Sequence, residues 1–366
     1  MTSFLLAAVV SASVSVGLVL TKRWHLSLSA DASAGIQKFH TTITPRVGGL
    51  GISLGVVAAF WLFDSSSGLV LPLLITGAFP FLIGLYEDIT GHGGVMRRLL
   101  ITLLGSALFC LWTSIWVRYV DVPFVDDVLA VPLVGVVFTV LAISTCSNAV
   151  NMIDGFNGLA GGATLVMLGS LAWVAQLAGD AELLSLLLAF MGAVFGFLIV
   201  NFPCGKIFLG DGGAYLVGFL LGVFAILLPM RNAEVSPWVA LVACAYPFLE
   251  FAFSFHRKTK REGYSPTKPD GVHLHMLVYK RITARRLRHS RPAYRNAATS
   301  PFLWAFAAGP ALLAVVFWND TPALITVLVL TTLAYRLIYR RLALFRWSLW
   351  SGSSSTPKAG ERGAFR

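Results

Sequence analysis

Four short stretches of this sequence hold nearly all the side chains able to do chemistry. In "GLYEDITG", Glu87 and Asp88 are adjacent carboxylates at the end of an apolar run. Two acids so placed can bind a divalent cation through oxygen, handle a proton, or simply be solvated. In "NAVNMIDGFNGLAGG", Asn148, Asn151 and Asp154 are spaced by three, which puts them on one helix face with Asp154 one turn beyond Asn151. Helix capping accounts for any one of them. It does not account for three in line at the mouth of an apolar segment, with Gly155 and Gly158 opening a tight backbone path. In "NFPCGKIFLGDGGAYLVGF", Asp211 lies between Gly210 and Gly212-Gly213, just ahead of an apolar helix. Free helix-start amides on flexible backbone suit a phosphate or a metal-phosphate unit, although the same residues also make an ordinary turn. In "PDGVHLHMLVYKR", His273 and His275 are two apart, so they point oppositely on a strand and do not share a helix face. A two-His metal site would need an irregular loop there. Imidazole donors beside Lys280 and Arg281 suit a nucleotide diphosphate better, with solvated loop histidines as the plain alternative.

The elements that must position these groups are membrane helices. The 366-residue chain is 57% hydrophobic and 12% charged, with a mean hydropathy of +0.77, too few charges to coat a soluble protein of its size. Apolar runs of about 17 to 20 residues recur, each long enough to cross a bilayer core of roughly 30 Å. They predict an all-α integral membrane protein with about eleven spans, placed near 4–20, 47–63, 68–85, 99–117, 128–145, 157–178, 183–200, 212–230, 237–255, 301–318 and 322–339. The whole chain, 1–366, reads as one polytopic domain, with a basic loop at 256–300 and a basic tail at 341–366. Gly48, Gly49, Gly51 and Gly55 open the second span with the small-residue spacing of closely packed helices. Cys110, Cys146, Cys204 and Cys244 show no metal or disulfide spacing.

The first apolar run has no Lys or Arg before it and Lys22-Arg23 after it, which predicts a retained helix with a periplasmic N-terminus and a cytoplasmic C-terminus. With that orientation the inner segments hold 26 of the 28 Lys and Arg residues, leaving only Arg118 and Arg231 outside. The net charge of +11 is therefore topology and no sign of nucleic-acid binding. All four polar stretches fall on the inner face. Carboxylates, amides, Gly-rich turns and a His/Lys/Arg loop on one face meet the needs of phosphoryl transfer, which rests on positioning and charge neutralisation. A secondary transporter of an anionic solute is the rival reading, but it calls for polar groups near the bilayer midplane and for internal repeats.

Taken in order, from "KFHTTITPRVGG" to the His loop, these motifs resemble the polyprenyl-phosphate N-acetylhexosamine-1-phosphate transferases, the superfamily that includes phospho-N-acetylmuramoyl-pentapeptide transferase. The resemblance implies a Mg²⁺-dependent enzyme, with Mn²⁺ as the alternative ion, in the bacterial inner membrane. Such an enzyme moves a sugar-1-phosphate from a UDP-sugar to undecaprenyl phosphate, releases UMP, and initiates a surface glycan of the O-antigen, capsule or lipopolysaccharide type. A homodimer fits the family. By the same resemblance Glu87 and Asp88 form the acidic pair, Asn148, Asn151, Asp154 and Asn157 the Asn/Asp motif, and Asp211 the metal ligand. Phe208 would stack on uracil, Asn201 would contact the nucleoside, and His273 and His275 would lie near the pyrophosphate. Two departures stand out: Glu87-Asp88 where many members have two aspartates, and Met276 where the commoner motif has a further histidine. The longer Glu87 shifts its carboxylate's reach, which makes Asp88 the better candidate for the catalytic acid. Glu87→Asp is thus expected to retain more turnover than Asp88→Glu in a sugar-phosphate transfer assay, and the reverse order would show the pair to be assigned the wrong way round.

Overall fold

A computed structural model describes residues 1–31, 44–61, 68–259 and 271–344. The start of the "KFHTTITPRVGG" motif, part of the basic loop (260–270) and the tail from 345 lie outside the described residues. The chain is helical apart from a two-residue antiparallel pairing of β1 (Ala30–Asp31) with β2 (Thr44–Pro45). In chain order the helices begin with α1 (Thr2–Leu20), α2 (Lys22–Ser29), α3 (Gly48–Phe60), α4 (Val70–Thr90), α5 (Val95–Thr113) and α6 (Val125–Leu129). Next come α7 (Pro132–Ile153), α8 (Leu159–Leu177), α9 (Ala181–Asn201), α10 (Gly210–Arg231), α11 (Trp238–Ala243) and α12 (Ala245–Thr259). The last are α13 (Leu274–Val278), α14 (Ala284–Arg286), α15 (Pro292–Ala297), α16 (Ser300–Val316) and α17 (Thr321–Ala343), with a π-helical turn over Tyr279–Thr283.

Among the described residues, nine helices are long and apolar enough to cross a membrane. The two further expected spans are the short apolar α3 and the interrupted pair α11 and α12. The interruption falls at Cys244, and Pro247 explains it: with no N–H, Pro247 cannot bond to the carbonyl four residues back, at Ala243. Large apolar side chains such as Leu111, Trp112, Leu312 and Val316 stand exposed on the outer helices. That is costly in water and ordinary against lipid.

The core is α10, buried along nearly its whole length and packed by α3, α4 and α7. Its first turn lets two neighbours approach to backbone contact. A Cβ on Gly84 of α4 would lie 2.5 Å from the amide nitrogen of Gly212, and one on Gly49 of α3 would lie 2.5 Å from the backbone of Gly213. The expected role of the Gly-rich opening of α3, close packing, is what the structure shows. These contacts draw the end of α4, the start of α3 and the start of α10 together at one end of the bundle. Gly84→Ala should force α4 off α10 at an overpacking cost of about 1–3 kcal/mol, lowering the melting temperature in detergent. Gly17→Ala on α1, where a Cβ meets nothing within 4 Å, should leave it unchanged; equal behaviour of the two variants would contradict the close-packing role.

Candidate active site

The site is assembled on the backbone before any side chain takes part. Phe208 donates its N–H to Pro45 (2.9 Å), Gly48 donates to the Phe208 carbonyl (2.9 Å) and Gly49 to that of Leu209 (3.0 Å). This short ladder ties 45–49 to the strip ahead of α10. Gly210 then turns with φ +76°, where a side chain would be strained and a Cβ would strike the Arg46 carbonyl. Arg46 is thereby carried to the mouth of α10. From the last turn of α4, Asp88 reaches the same point: its Oδ1 accepts from the Asp211 N–H and its Oδ2 from the Gly212 N–H, both at 2.9 Å. The helix-start amides expected to receive a phosphate are thus already taken by a carboxylate, because α4 and α10 meet closely enough for Asp88 to cap its neighbour.

Asp211 is the hub. Its Oδ1 accepts from Asn151 Nδ2 (3.0 Å) and Arg46 Nη2 (3.3 Å), and its Oδ2 from Arg98 Nη1 (3.0 Å). Arg98 also binds Glu87 Oε1 at 2.8 Å and lies over the Tyr215 ring, 5.5 Å from its centroid. Arg46 Nε stands 3.5 Å from Asp88. The second Glu87 oxygen is buried without a hydrogen-bond partner among the described residues. Sequence reasoning missed Arg46 and Arg98. Arg46 was visible only as part of the "TPRVGG" string, and Arg98 only as one of two basic residues opening α5, which positive charge on inner loops already explained.

Asp154 departs from the expected helix face because α7 ends at Ile153, leaving Asp154 as its C-cap, with its amide donating to the Asn151 carbonyl at 3.3 Å. Its carboxyl makes no hydrogen bond among the described residues. Burial pushes that carboxyl up to about 7, against the pull of Arg46 and with a smaller push from Asp211. Asn148 turns back on its own helix, Nδ2 to the Ser144 carbonyl (2.8 Å), and touches the site only through the Tyr215 hydroxyl (3.4 Å). Asn157 and Asn201 act on backbone. Asn157 donates Nδ2 to the Pro203 carbonyl (3.0 Å), while Asn201 accepts from the Gly158 N–H and donates to the Ile207 carbonyl (2.7 Å). Asn296 and Ser300 hold the same turn from the other side. Phe208 is fixed through its main chain, with its side chain partly buried.

The histidine motif folds differently from either expectation. His273 is the extended N-cap of α13 and His275 sits in its first turn, so the two rings stack, 5.3 Å apart and 3° from parallel. His275 is fully buried, and among the described residues neither ring nitrogen makes a hydrogen bond. Burial pushes it down to about 3, with Glu250 opposing and His273 adding, so the ring is neutral. It meets Phe156 edge-on, and its Nε2 faces Gly155, next to Asp154. Lys280 bonds to the Gly271 carbonyl (2.9 Å), so the loop itself engages that charge. Burial and Arg285 together pull Arg281 below its ordinary value. Met276 is buried, which gives an apolar reason for the residue at that position. The structure therefore brings together Glu87, Asp88, Asn151, Asp154 and Asp211, sets His273 and His275 against the adjoining turn, and leaves Lys280 tied to its own loop.

Among the described residues no group of three or more His, Cys, Asp and Glu side chains stands ready to enclose a metal ion. Mg²⁺ needs no such cage: it takes one or two carboxylates and completes its shell with water and phosphate oxygens. Four carboxylates, Glu87, Asp88, Asp154 and Asp211, face two guanidinium groups here. The excess negative charge, the oxygen chemistry and the unpartnered Glu87 oxygen fit a hard divalent cation.

Residues 70–229 match the family model for glycosyl transferase family 4. The chain is 28% identical over 258 residues to a probable undecaprenyl-phosphate N-acetylglucosaminyl 1-phosphate transferase of Bacillus subtilis, covering 70% of this chain and 71% of that one. It is 28% identical over 330 residues to the decaprenyl-phosphate N-acetylglucosaminephosphotransferase of Mycobacterium tuberculosis, covering 81% and 78%. It is 26% identical over 252 residues to the undecaprenyl-phosphate alpha-N-acetylglucosaminyl 1-phosphate transferase of Escherichia coli, covering 67% of each.

Asp88→Asn keeps the shape of the α10 cap but leaves one oxygen for two amides. It should cost about 1–3 kcal/mol, the range for an unsatisfied buried donor, read as a fall in melting temperature. An unchanged melting temperature would show that the cap does not hold the bundle end together.

Proposed function

We infer, from the premise that this chain belongs to glycosyl transferase family 4, that it transfers N-acetylglucosamine-1-phosphate from UDP-N-acetylglucosamine to a polyprenyl phosphate and releases UMP. The observation that carries this reading is the cluster at the mouth of α10, where Asp211 holds Arg46, Arg98 and Asn151 together. Such a cluster can exchange its internal ion pairs for a diphosphate and a divalent cation.

In this reading an oxygen of the acceptor phosphate attacks the sugar-bearing phosphorus, the diphosphate bridge breaks, and UMP departs. The second pKa of a phosphate monoester is about 6, so the attacking group is mostly ionised and needs orientation more than a strong base. Asp154, whose carboxyl makes no hydrogen bond among the described residues, accepts its last proton. Asp88 is committed to the α10 amides and holds the geometry. Arg46 and Arg98 move from carboxylates to phosphoryl oxygens and offset the charge gathering on UMP. Asp211 and Glu87 would hold Mg²⁺, which would supply further charge neutralisation on the diphosphate.

We place the site on the cytoplasmic face of a bacterial inner membrane, with the N-terminus periplasmic. This reading takes the chain across the membrane eleven times. α3 starts where α4 ends, so α3 must traverse to reach the start of α4; the same argument carries α11 and α12 back to the His loop. The acceptor's isoprenoid tail fits an apolar groove of 660 Å³ lined by Leu74, Ala78, Leu82 and Tyr86 of α4 and by Ile101 of α5.

The test is to incubate the purified protein with undecaprenyl phosphate, Mg²⁺ and a panel of UDP-sugars headed by UDP-N-acetylglucosamine, following UMP and lipid-linked product. No product with any sugar would sink the transferase reading. Turnover should rise with pH as Asp154 ionises through about 7. In Asp154→Asn that limb should vanish, leaving the limb near about 6 that belongs to the acceptor phosphate; an unaltered profile would remove Asp154 from the proton-accepting role.

A further inference from the structure

Glu250 lies on α12 with 1% of its surface exposed, in a segment that is otherwise largely apolar. Three donors converge on it. Its Oε1 accepts from the Leu274 N–H (2.8 Å) and from His273 Nδ1 (3.1 Å), and its Oε2 accepts from the Tyr335 hydroxyl of α17 (3.1 Å). Because a carboxylate oxygen only accepts, the His273 proton sits on Nδ1. The ring's Nε2, which makes no hydrogen bond among the described residues, is left for another partner. Behind the ring, His275 stacks in parallel on His273 and meets the Asp154-Gly155-Phe156 turn edge-on at Phe156.

Loop anchoring alone does not explain this carboxylate. The loop is also held by the Tyr339 hydroxyl on the Val272 carbonyl (3.1 Å), by Lys280 on Gly271, and by Thr283 against Thr299 (3.0 Å). A glutamine would satisfy the same three partners, accepting with its oxygen from Leu274 and His273 and donating to the Tyr335 oxygen. It would do so without burying a charge, which is costly when the charge has no ionic counterpart. A buried carboxylate is useful where a positive charge must form beside it.

We propose that Glu250 is a positioning residue for the transfer reaction: it clamps His273 by Nδ1, turns Nε2 to the donor's diphosphate, and supplies the counter-charge when that nitrogen takes up a proton from solvent and donates it in a hydrogen bond to a phosphoryl oxygen. This rests on the transferase reading above. Glu250 touches no substrate and acts through His273.

The test is a double-mutant cycle on the full-length protein with UDP-N-acetylglucosamine, undecaprenyl phosphate and Mg²⁺, using Glu250→Gln, His273→Gln and the double variant. Glu250→Gln should lower kcat/KM at least tenfold with the melting temperature within a few degrees of the parent, and the double variant should be no worse than His273→Gln. Tyr335→Phe, which releases only Oε2, should give a smaller loss that likewise disappears in the His273→Gln background. Parent-like activity of Glu250→Gln, or losses that multiply in the double variant, would overturn the clamp. Absence of turnover in the parent protein would instead overturn the transferase reading. In that event the ¹⁵N-histidine spectrum decides the geometry: an Nδ1-protonated His273 signal that Glu250→Ala abolishes upholds the clamp, and a signal indifferent to the substitution rejects it.

Discussion

A buried carboxylate at the start of a buried helix is the contact on which the site depends. The first amides of α10 have no partner within the helix, and in a lipid-facing bundle no bulk water reaches them readily. Asp88 takes two of them at once. It can do so only because Gly84 and Gly212 let α4 and α10 touch backbone to backbone. The same contact fixes where Asp211 points, since Asp211 is the residue whose amide is capped. Packing and electrostatics are therefore a single arrangement here: small residues set the distance, and the distance lets one acid hold another in place.

Around that arrangement the charges are left unbalanced. Arg46 and Arg98 each bridge two carboxylates, while among the described residues the Asp154 carboxyl has no hydrogen bond and Glu87 has one buried oxygen unpaired. A purely structural ion-pair network would pair every group, because an unpaired charge at a membrane boundary is expensive. The surplus acid and the re-assignable guanidinium groups suit the cation and the diphosphate of the proposed reaction. They gather at one end of the bundle and not at mid-depth, which is the placement expected of an enzyme facing one compartment and not of a transporter.

Much of this was legible in the sequence. Segment lengths indicated the helices, and the three acidic stretches are the ones the fold brings together in the candidate site. What stayed hidden had physical causes. Helix periodicity put Asp154 on the face of Asn148 and Asn151, but α7 stops one residue short, and only the folded chain shows that Asp154 is thereby freed. Arg46 and Arg98 looked like topological charge because inner-loop arginines are common in any membrane protein. The stacking of His273 on His275 needs an extended N-cap followed by a helical turn, which two-residue spacing alone does not foretell. Glu250 is separated from its histidine by 23 positions, and nothing local marks the pair.

The central claim is that Asp88 is a fixed cap while Arg46 and Arg98 are exchangeable partners of Asp211. An experimental structure with UDP-N-acetylglucosamine and Mg²⁺ bound tests it directly. The account requires Asp88 to keep both α10 amides while the two guanidinium groups leave Asp211 for phosphoryl oxygens. A complex in which Asp88 gives up those amides, or in which both arginines stay on Asp211 with substrate present, would contradict it.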